Sequence, residues 1–224
     1  MAKEISDFMN ITPDKQRMDS LMVAANIRNL SLLELFYTCV SNLCKIMNER
    51  GTKIPDEQHH YIEKDDYNKC IYHKRDMDAT ERTIVVMKDA DILIKICDST
   101  GDFDDTSEYQ LLIRLLKEHT IIDDDGSRRL RQKEEVENPS EVLLNPSDPE
   151  ATFRYKAGGK HLGYVGNIVE SVGENGSLII DYDYQPNTYA DNQFMKDYLN
   201  EKKDFSDGSF IVADGAYNGE KTHV

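Results

Sequence analysis

The sequence contains no tryptophan and only four cysteines among its 224 residues. No two cysteines form a C-x-x-C pair, the spacing common to many zinc sites and redox centres. The six histidines do not complete such a pattern either. We therefore expect ordinary buried thiols rather than a zinc site or a disulfide framework, at Cys39, Cys44, Cys70 and Cys97.

Long apolar runs are also missing. No stretch approaches the roughly 18 apolar residues that a membrane-spanning helix needs, and Met1-Ala2-Lys3-Glu4 does not begin a secretory signal. We therefore expect a cytoplasmic protein with no membrane partner. The length suits one large domain or a domain that carries an insertion.

Basic residues are scarce relative to acidic ones. The chain has 27 Lys and Arg against 42 Asp and Glu, a formal net charge of −15. This balance argues against a general nucleic-acid binder, because phosphates are bound by clustered Lys and Arg. It does not exclude a site at which metal ions neutralise acidic side chains and DNA together.

Three common functional motifs are absent as well. The sequence has no G-x-S-x-G nucleophile motif, and "KAGGKHLGY" (156–164) lacks the spacing of a phosphate-binding loop. The acidic run at 123–126 fails the calcium-loop pattern, whose first and twelfth positions would be Ile121 and Gln132. The sequence therefore favours neither nucleophilic catalysis nor an EF-hand.

The first part of the chain combines one strand with a long helical block. Residues 17–24 predict a strand, and Ser31 with Glu34 forms a capping-box pattern before a helix that Gly51 would end. Helical periodicity recurs at 83–97 and 107–119. Residues 122–150 are charged and punctuated by Gly and Pro, which predicts a linker or mobile loop.

The pattern changes to strands in the last third. Residues 160–171 and 177–184 predict an antiparallel hairpin around "VGENG", Asp191 can cap a helix to about 201, and "SFIVAD" predicts a short buried strand. With the helical block taken as an insertion, the order is β-β-β-α-β. We therefore predict an α/β fold that resembles a ribonuclease-H-like core with a helical insertion after the first strand. The corresponding segments are 1–28 (first strand), 29–150 (helical insertion and charged loop) and 151–224 (remainder of the core, incomplete at its C-terminus).

Two aspartates lie where such a fold brings strands together. Asp19 lies in the first predicted strand and Asp214 ends the last. If those strands are neighbours, their carboxylates can meet and bind Mg²⁺ or Mn²⁺, since hard cations prefer oxygen ligands. The alternative is that Asp214 begins a turn with Gly215 and Asp19 caps or solvates a strand.

A small basic group precedes the hairpin. Arg154, Lys156, Lys160 and His161 could contact a phosphate backbone. The same residues could equally belong to a flexible loop that enters a strand.

Three segments resemble, in the same order, insertion-sequence transposases of the DDE superfamily. They are "QRMDSLMVAANIRNLSLLELFY", "NPSDPEATFRYKAGGKHLGYVGNIVES" and "FIVADGAY". The resemblance covers nearly the whole chain and is greatest to the clostridial-type group, whose catalytic domain has a helical insertion after the first acid. Leu21 stands where that family often has threonine.

The resemblance implies Mg²⁺-dependent cleavage and strand transfer of transposon-end DNA, with Asp19 and Asp214 as the first two acids of the catalytic triad. The third acid of the family, a glutamate, lies well downstream of the second, and Glu220 does not match it by position. We therefore expect a chain truncated at both ends and inactive, or nearly so, by itself.

The implied partners are insertion-sequence end DNA and target DNA, and a homo-oligomer with a full-length transposase. A DNA-bound chain would be nucleoid-associated. Two alternatives stay open: a non-catalytic remnant that binds DNA or protein, and a nuclease of the same fold.

Overall fold

The computed structural model describes residues 2–73, 77–156, 158–201 and 205–218. The protein is a mixed α/β chain. Its helices and strands, in chain order, are α1 (Ala2–Phe8), β1 (Ile11–Ala24), α2 (Leu32–Glu49), α3 (Asp66–Asn68), α4 (Ala79–Thr100), α5 (Ser107–His119), β2 (Thr120–Ile122), β3 (Arg128–Leu130), β4 (Thr152–Lys156), β5 (Gly159–Gly173), β6 (Gly176–Pro186), α6 (Asp191–Glu201) and β7 (Phe210–Val212). Among these described residues, no helix combines the length and apolar composition that crossing a membrane requires.

The chain divides into two units. Unit 1 consists of the chain up to Ala25 together with the chain from Ala151 onward, and unit 2 is Asn26–Glu150. Each unit has a hydrophobic cluster of its own.

Unit 2 is built on helices α2, α4 and α5. The predicted capping box at the start of α2 is confirmed: the Ser31 hydroxyl accepts from the Glu34 amide at 3.3 Å, and the Glu34 carboxylate accepts from the Ser31 amide at 2.8 Å. Helix α4 is longer than predicted because Asp78 and Glu81 form a second capping box upstream of the periodic segment. The helices enclose fully buried side chains that include Phe36, Val40, Leu43, Leu93 and Leu112.

The prediction of a linker or loop at 122–150 is wrong in part. Strands β2 and β3 pair as a short antiparallel hairpin, and Leu143 is fully buried in the helical core. Arg114 donates from its guanidinium to the carbonyls of Glu141 and Pro149, at 3.0 and 2.9 Å. These hydrogen bonds and the buried leucine attach this polar segment to unit 2. Its charged composition alone had predicted a mobile loop.

Unit 1 is a five-stranded mixed sheet centred on β5. Strand β5 pairs antiparallel with β1 on one side and with β6 and β4 on the other, and β7 pairs parallel with β1. The main order is therefore β6-β5-β1-β7, and α6 connects β6 to β7. The predicted hairpin of β5 and β6 and the predicted helix α6 are confirmed.

Three strand predictions need correction. Strand β1 begins at Ile11 rather than at residue 17, and β4, which was predicted as a basic patch or flexible loop, is a strand. Strand β7 is not buried, because Phe210 and Val212 are 50% and 55% exposed. It lies at the edge of the sheet with β1 as its neighbour, so its alternate side chains face solvent.

The two faces of the sheet differ. Side chains of β1 and β5 that point toward α6 form the hydrophobic cluster of unit 1, which includes Met18, Val165, Val169, Phe194 and Tyr198. The opposite face carries Arg17, Asp19 and Leu21 of β1, since successive side chains alternate along a strand. We call these the α6 face and the Asp19 face.

Gly163 allows β1 and β5 to approach closely. Its φ is +143°, and a Cβ there would lie 2.2 Å from the Val23 carbonyl oxygen. Only glycine fits this position without movement of one strand.

Candidate functional site

Asp19 lies in the middle of the sheet. It occupies the Asp19 face of β1 opposite Ile168 of β5, and its side chain is exposed. Its neighbour Met18 is 2% exposed and packs on the α6 face. The buried methionine therefore fixes which way the aspartate points.

Asp214 follows the parallel strand β7. The pairing of β1 with β7 aligns Arg17 with Val212, so Asp19 and Asp214 each lie two residues beyond the last aligned pair. Ala213 packs against the hydrophobic cluster of the α6 face, which leaves Asp214 exposed on the other side of the chain. The structure thus places both predicted acids two residues beyond the same end of the β1–β7 pairing.

One oxygen of Asp214 is used locally. Asp214 caps a 3-10 turn, Gly215–Tyr217, and its Oδ1 accepts from the Ala216 amide at 2.8 Å. The sequence left a turn and a ligand role as alternatives. The turn is observed. The described hydrogen bonds of the Asp214 carboxylate use Oδ1, and none of them uses Oδ2.

Tyr217 ties this turn to the sheet. Its ring is 3% exposed within the hydrophobic cluster of unit 1, and its hydroxyl donates to Asn167 Oδ1 on β5 at 2.7 Å. This contact positions the segment that carries Asp214 beside β1. Sequence reasoning missed Tyr217, although an aromatic residue three positions after the acid was the available signal.

The pKa of Tyr217 reports the charge around it. Burial raises this pKa to about 12, and the carboxylates of Asp191, Asp19 and Asp214 add to the shift. Both candidate ligands therefore lie close enough to Tyr217 to act on it electrostatically.

A shallow pocket of about 150 Å³ adjoins Asp19. It is lined by Arg17, Asp19, Ser20, Leu21, Ile168 and Glu170. Arg17 donates from Nε to Glu170 at 2.9 Å, so the cation beside Asp19 already has an acidic partner. This pairing leaves the Asp19 carboxylate as the acid of the pocket that has no described ion pair.

Asp19 and Asp214 can supply oxygen ligands for a hard cation. Within residues 2–73, 77–156, 158–201 and 205–218, no group of three or more His, Cys, Asp or Glu side chains is arranged to hold a metal ion. A metal at this site would therefore take the rest of its ligands from water or substrate. Glu220 lies outside the described residues.

The four predicted basic residues are brought together, but away from the acids. They lie on the hairpin of β4 and β5, where Arg154 is opposite His161 and His161 Nε2 is 3.2 Å from the Lys156 carbonyl oxygen. Lys160 lies over the Phe153 ring, 4.1 Å from its centre. Lys160 is about 26 Å along β5 from Ile168, the partner of Asp19.

The cysteines of unit 2 suit packing rather than chemistry. Cys39, Cys44 and Cys97 are buried as predicted, whereas Cys70 is only half-buried. Burial raises the pKa of the Cys39 and Cys44 thiols to about 12. A thiol with such a pKa stays protonated at neutral pH and is a poor nucleophile.

Comparisons of the chain with protein-family models, with curated proteins and with solved structures found no significant match. The function of this chain must therefore be inferred from its fold and from the residues described above.

Proposed function

We propose that unit 1 is the catalytic core of a DDE-type transposase, in which Asp19 and Asp214 hold Mg²⁺ for cleavage and strand transfer of insertion-sequence DNA. The observation that carries the proposal is the alignment of these two acids at the same end of the parallel pair β1 and β7. Unit 2 is then the helical insertion that follows the first acid.

The connectivity of the sheet supports this proposal. Apart from β4, which extends the sheet along β5, three antiparallel strands are followed by a crossover helix and a strand parallel to the first, in the order β6-β5-β1-β7. This is the connectivity expected of a ribonuclease-H-like core. In that arrangement acids on the first and last of these strands converge.

The donor set also fits a divalent cation. Carboxylate oxygens are the ligands that Mg²⁺ prefers, and both acids are exposed to solvent that can complete its coordination. When bound there, Mg²⁺ would activate an attacking oxygen and stabilise the leaving oxygen of a phosphodiester. The chain itself positions the two ligands: Asp19 lies on a rigid central strand, and Asp214 lies on a turn anchored by Tyr217.

Two acids bind a metal more weakly than three. Because the described residues contain no third carboxylate grouped with this pair, we propose that the chain by itself is inactive or nearly so. Robust Mg²⁺-dependent strand transfer by residues 1–224 alone would contradict this part of the proposal.

Manganese binding tests the site directly. Mn²⁺ titration followed by electron paramagnetic resonance should show one weak site, on the order of a millimolar, that is lost in both Asp19→Asn and Asp214→Asn. Asp124→Asn is the matched control, because it removes the same charge from an exposed position in unit 2. Identical titrations of all four proteins would favour the alternative of a non-catalytic remnant that binds DNA or protein.

A further inference from the structure

Exposed tyrosines line the Asp19 face. Tyr182 and Tyr184 of β6 are 78% and 50% exposed. Tyr184 stacks on Tyr164 of β5 with ring centres 4.6 Å apart and planes 25° apart. Large aromatic rings in this orientation present flat, accessible surfaces to solvent.

The strand register places these rings beside the candidate site. Asp19 is opposite Ile168, which is opposite Tyr182, so the three form one row across β1, β5 and β6. Because neighbouring strands are about 4.8 Å apart, the Cα atoms of Asp19 and Tyr182 are separated by about 10 Å. That distance is close to the span of one or two nucleotides.

The next row is covered by side chains. Leu21 is opposite Gly166, which is opposite Tyr184. Gly166 is buried, and the Leu21 side chain lies 3.5 Å from where a Cβ at Gly166 would be. The surface that a ligand can reach in this row is therefore the exposed half of the Tyr184 ring.

Charge on this face differs from that of the whole chain. The register puts Lys15, Arg17 and Lys160 on the Asp19 face. Three acids share that face, Asp19, Glu170 and Asp214, so the charges there balance. Four acids lie instead on the α6 side of the sheet, around a cavity of about 350 Å³: Asp181, Asp183, Asp197 and Glu201. The Asp19 face, which carries these tyrosines, therefore lacks the excess of acidic side chains found on the α6 side of unit 1.

We propose that unpaired bases of a nucleic-acid strand stack on Tyr182 and Tyr184, so that this strand is directed toward Asp19. Aromatic rings on an exposed sheet bind single strands through the faces of the bases, which a duplex hides. Lys160 contributes a cation at the far end of the same face. The direction toward Asp19 rests on the proposed function, whereas the stacking itself does not.

Anisotropy of a fluorescein-labelled (dT)₂₀ oligonucleotide, measured in EDTA, tests the stacking. Tyr182→Ala and Tyr184→Ala should each weaken binding about fivefold or more, because base stacking contributes about 1–3 kcal/mol per base. Tyr182→Phe and Tyr184→Phe should bind within about twofold of wild type, since phenylalanine retains the ring. Tyr72→Ala, which removes an exposed tyrosine of unit 2, is the control for a general loss of aromatic surface.

Three results would overturn the proposal: no binding of (dT)₂₀ by the wild type, equal binding by the alanine variants, or stronger binding of the matching duplex. Sedimentation velocity tests whether a second copy of the chain, instead of a nucleic acid, covers this face. A wild-type dimer that Tyr182→Ala dissociates, with no change in (dT)₂₀ affinity, would make the face a contact between copies.

The metal proposal can fail separately. Binding of (dT)₂₀ is measured in EDTA, without a metal, whereas Mn²⁺ binding is measured on Asp19→Asn without DNA. Failure of one measurement therefore leaves the other proposal standing.

Discussion

Tyr217→Phe tests whether the buried hydroxyl of Tyr217, which is within hydrogen-bonding reach of both Asn167 and Ser20, holds the turn that carries Asp214. Phenylalanine keeps the ring in the hydrophobic cluster and removes the hydroxyl that donates to Asn167 Oδ1 at 2.7 Å. Both residues are 3% exposed, so no solvent replaces the lost donor. Leaving a buried amide oxygen without its partner costs about 1–3 kcal/mol, and we expect a loss of that size in unit 1.

Native-state hydrogen exchange is the appropriate assay, because a chain of two units need not unfold in one step. The opening free energy of β5 amides should fall by about 1–3 kcal/mol in Tyr217→Phe, while amides of α2 and α4 should not change. A double-mutant cycle with Asn167→Ala should give a coupling energy of about 1 kcal/mol. Additivity within about 0.3 kcal/mol would refute the reasoning.

The same variant has a pH signature. The folded state raises the pKa of Tyr217 to about 12 from the ordinary 10.0, mainly through burial. Its protonated form is therefore favoured by folding. This stability is present below pH 10 and is lost as the pH rises through about 12. Tyr217→Phe should lack that component of alkaline destabilisation. Its Mn²⁺ affinity should also fall, although the carboxylates of Asp19 and Asp214 both remain.

The remaining predictions concern the two units separately. Leu43→Ala should destabilise unit 2 by about 2–5 kcal/mol in urea unfolding, because Leu43 is fully buried; Ile122→Ala, at 59% exposed, should change it by less than about 0.5 kcal/mol. Gly163→Ala should disrupt the pairing of β1 with β5, since its Cβ would meet the neighbouring backbone at 2.2 Å. Protection of β1 amides should drop, whereas Gly159→Ala, whose Cβ would make only ordinary contacts at 3.5 Å or more, should leave it unchanged. Burial opposes ionisation of Glu34, but hydrogen bonds from the helix-capping residue lower its pKa to about 2. The stability from Glu34 is therefore present above pH 4.5 and is lost as the pH falls through about 2, and Glu34→Gln should flatten this acid limb of thermal unfolding.

Local patterns predicted the helices well. The capping box of α2 and the apolar periodicity of α5 are properties of short segments, and both helices form where the sequence predicts them. The hairpin of β5 and β6 followed from its turn residues. Interactions between neighbours along the chain were sufficient in each case.

Long-range pairing was harder to predict. The apolar run in β7 predicted a buried strand, yet its exposure depends on its place at the sheet edge, which no short segment specifies. The positions of Asp19 and Asp214 followed from strand order, whereas the anchoring role of Tyr217 depends on Asn167, fifty residues away in sequence. The alignment of Tyr182 with Asp19 likewise needed the register of three strands.

The position of Gly163 has a consequence for how the protein is made. Ala24 and Thr152 pair with Gly163 from opposite sides, so the chain leaves the sheet and returns to it about 10 Å apart. During synthesis all of unit 2 emerges from the ribosome before β5 does. Strand β1 must then wait, unpaired, until β5 has been translated, and closing so long a loop is entropically costly. Prior folding of unit 2 would replace more than a hundred flexible residues with one folded body. The insertion can thus act as the device that brings the first strand to its partner.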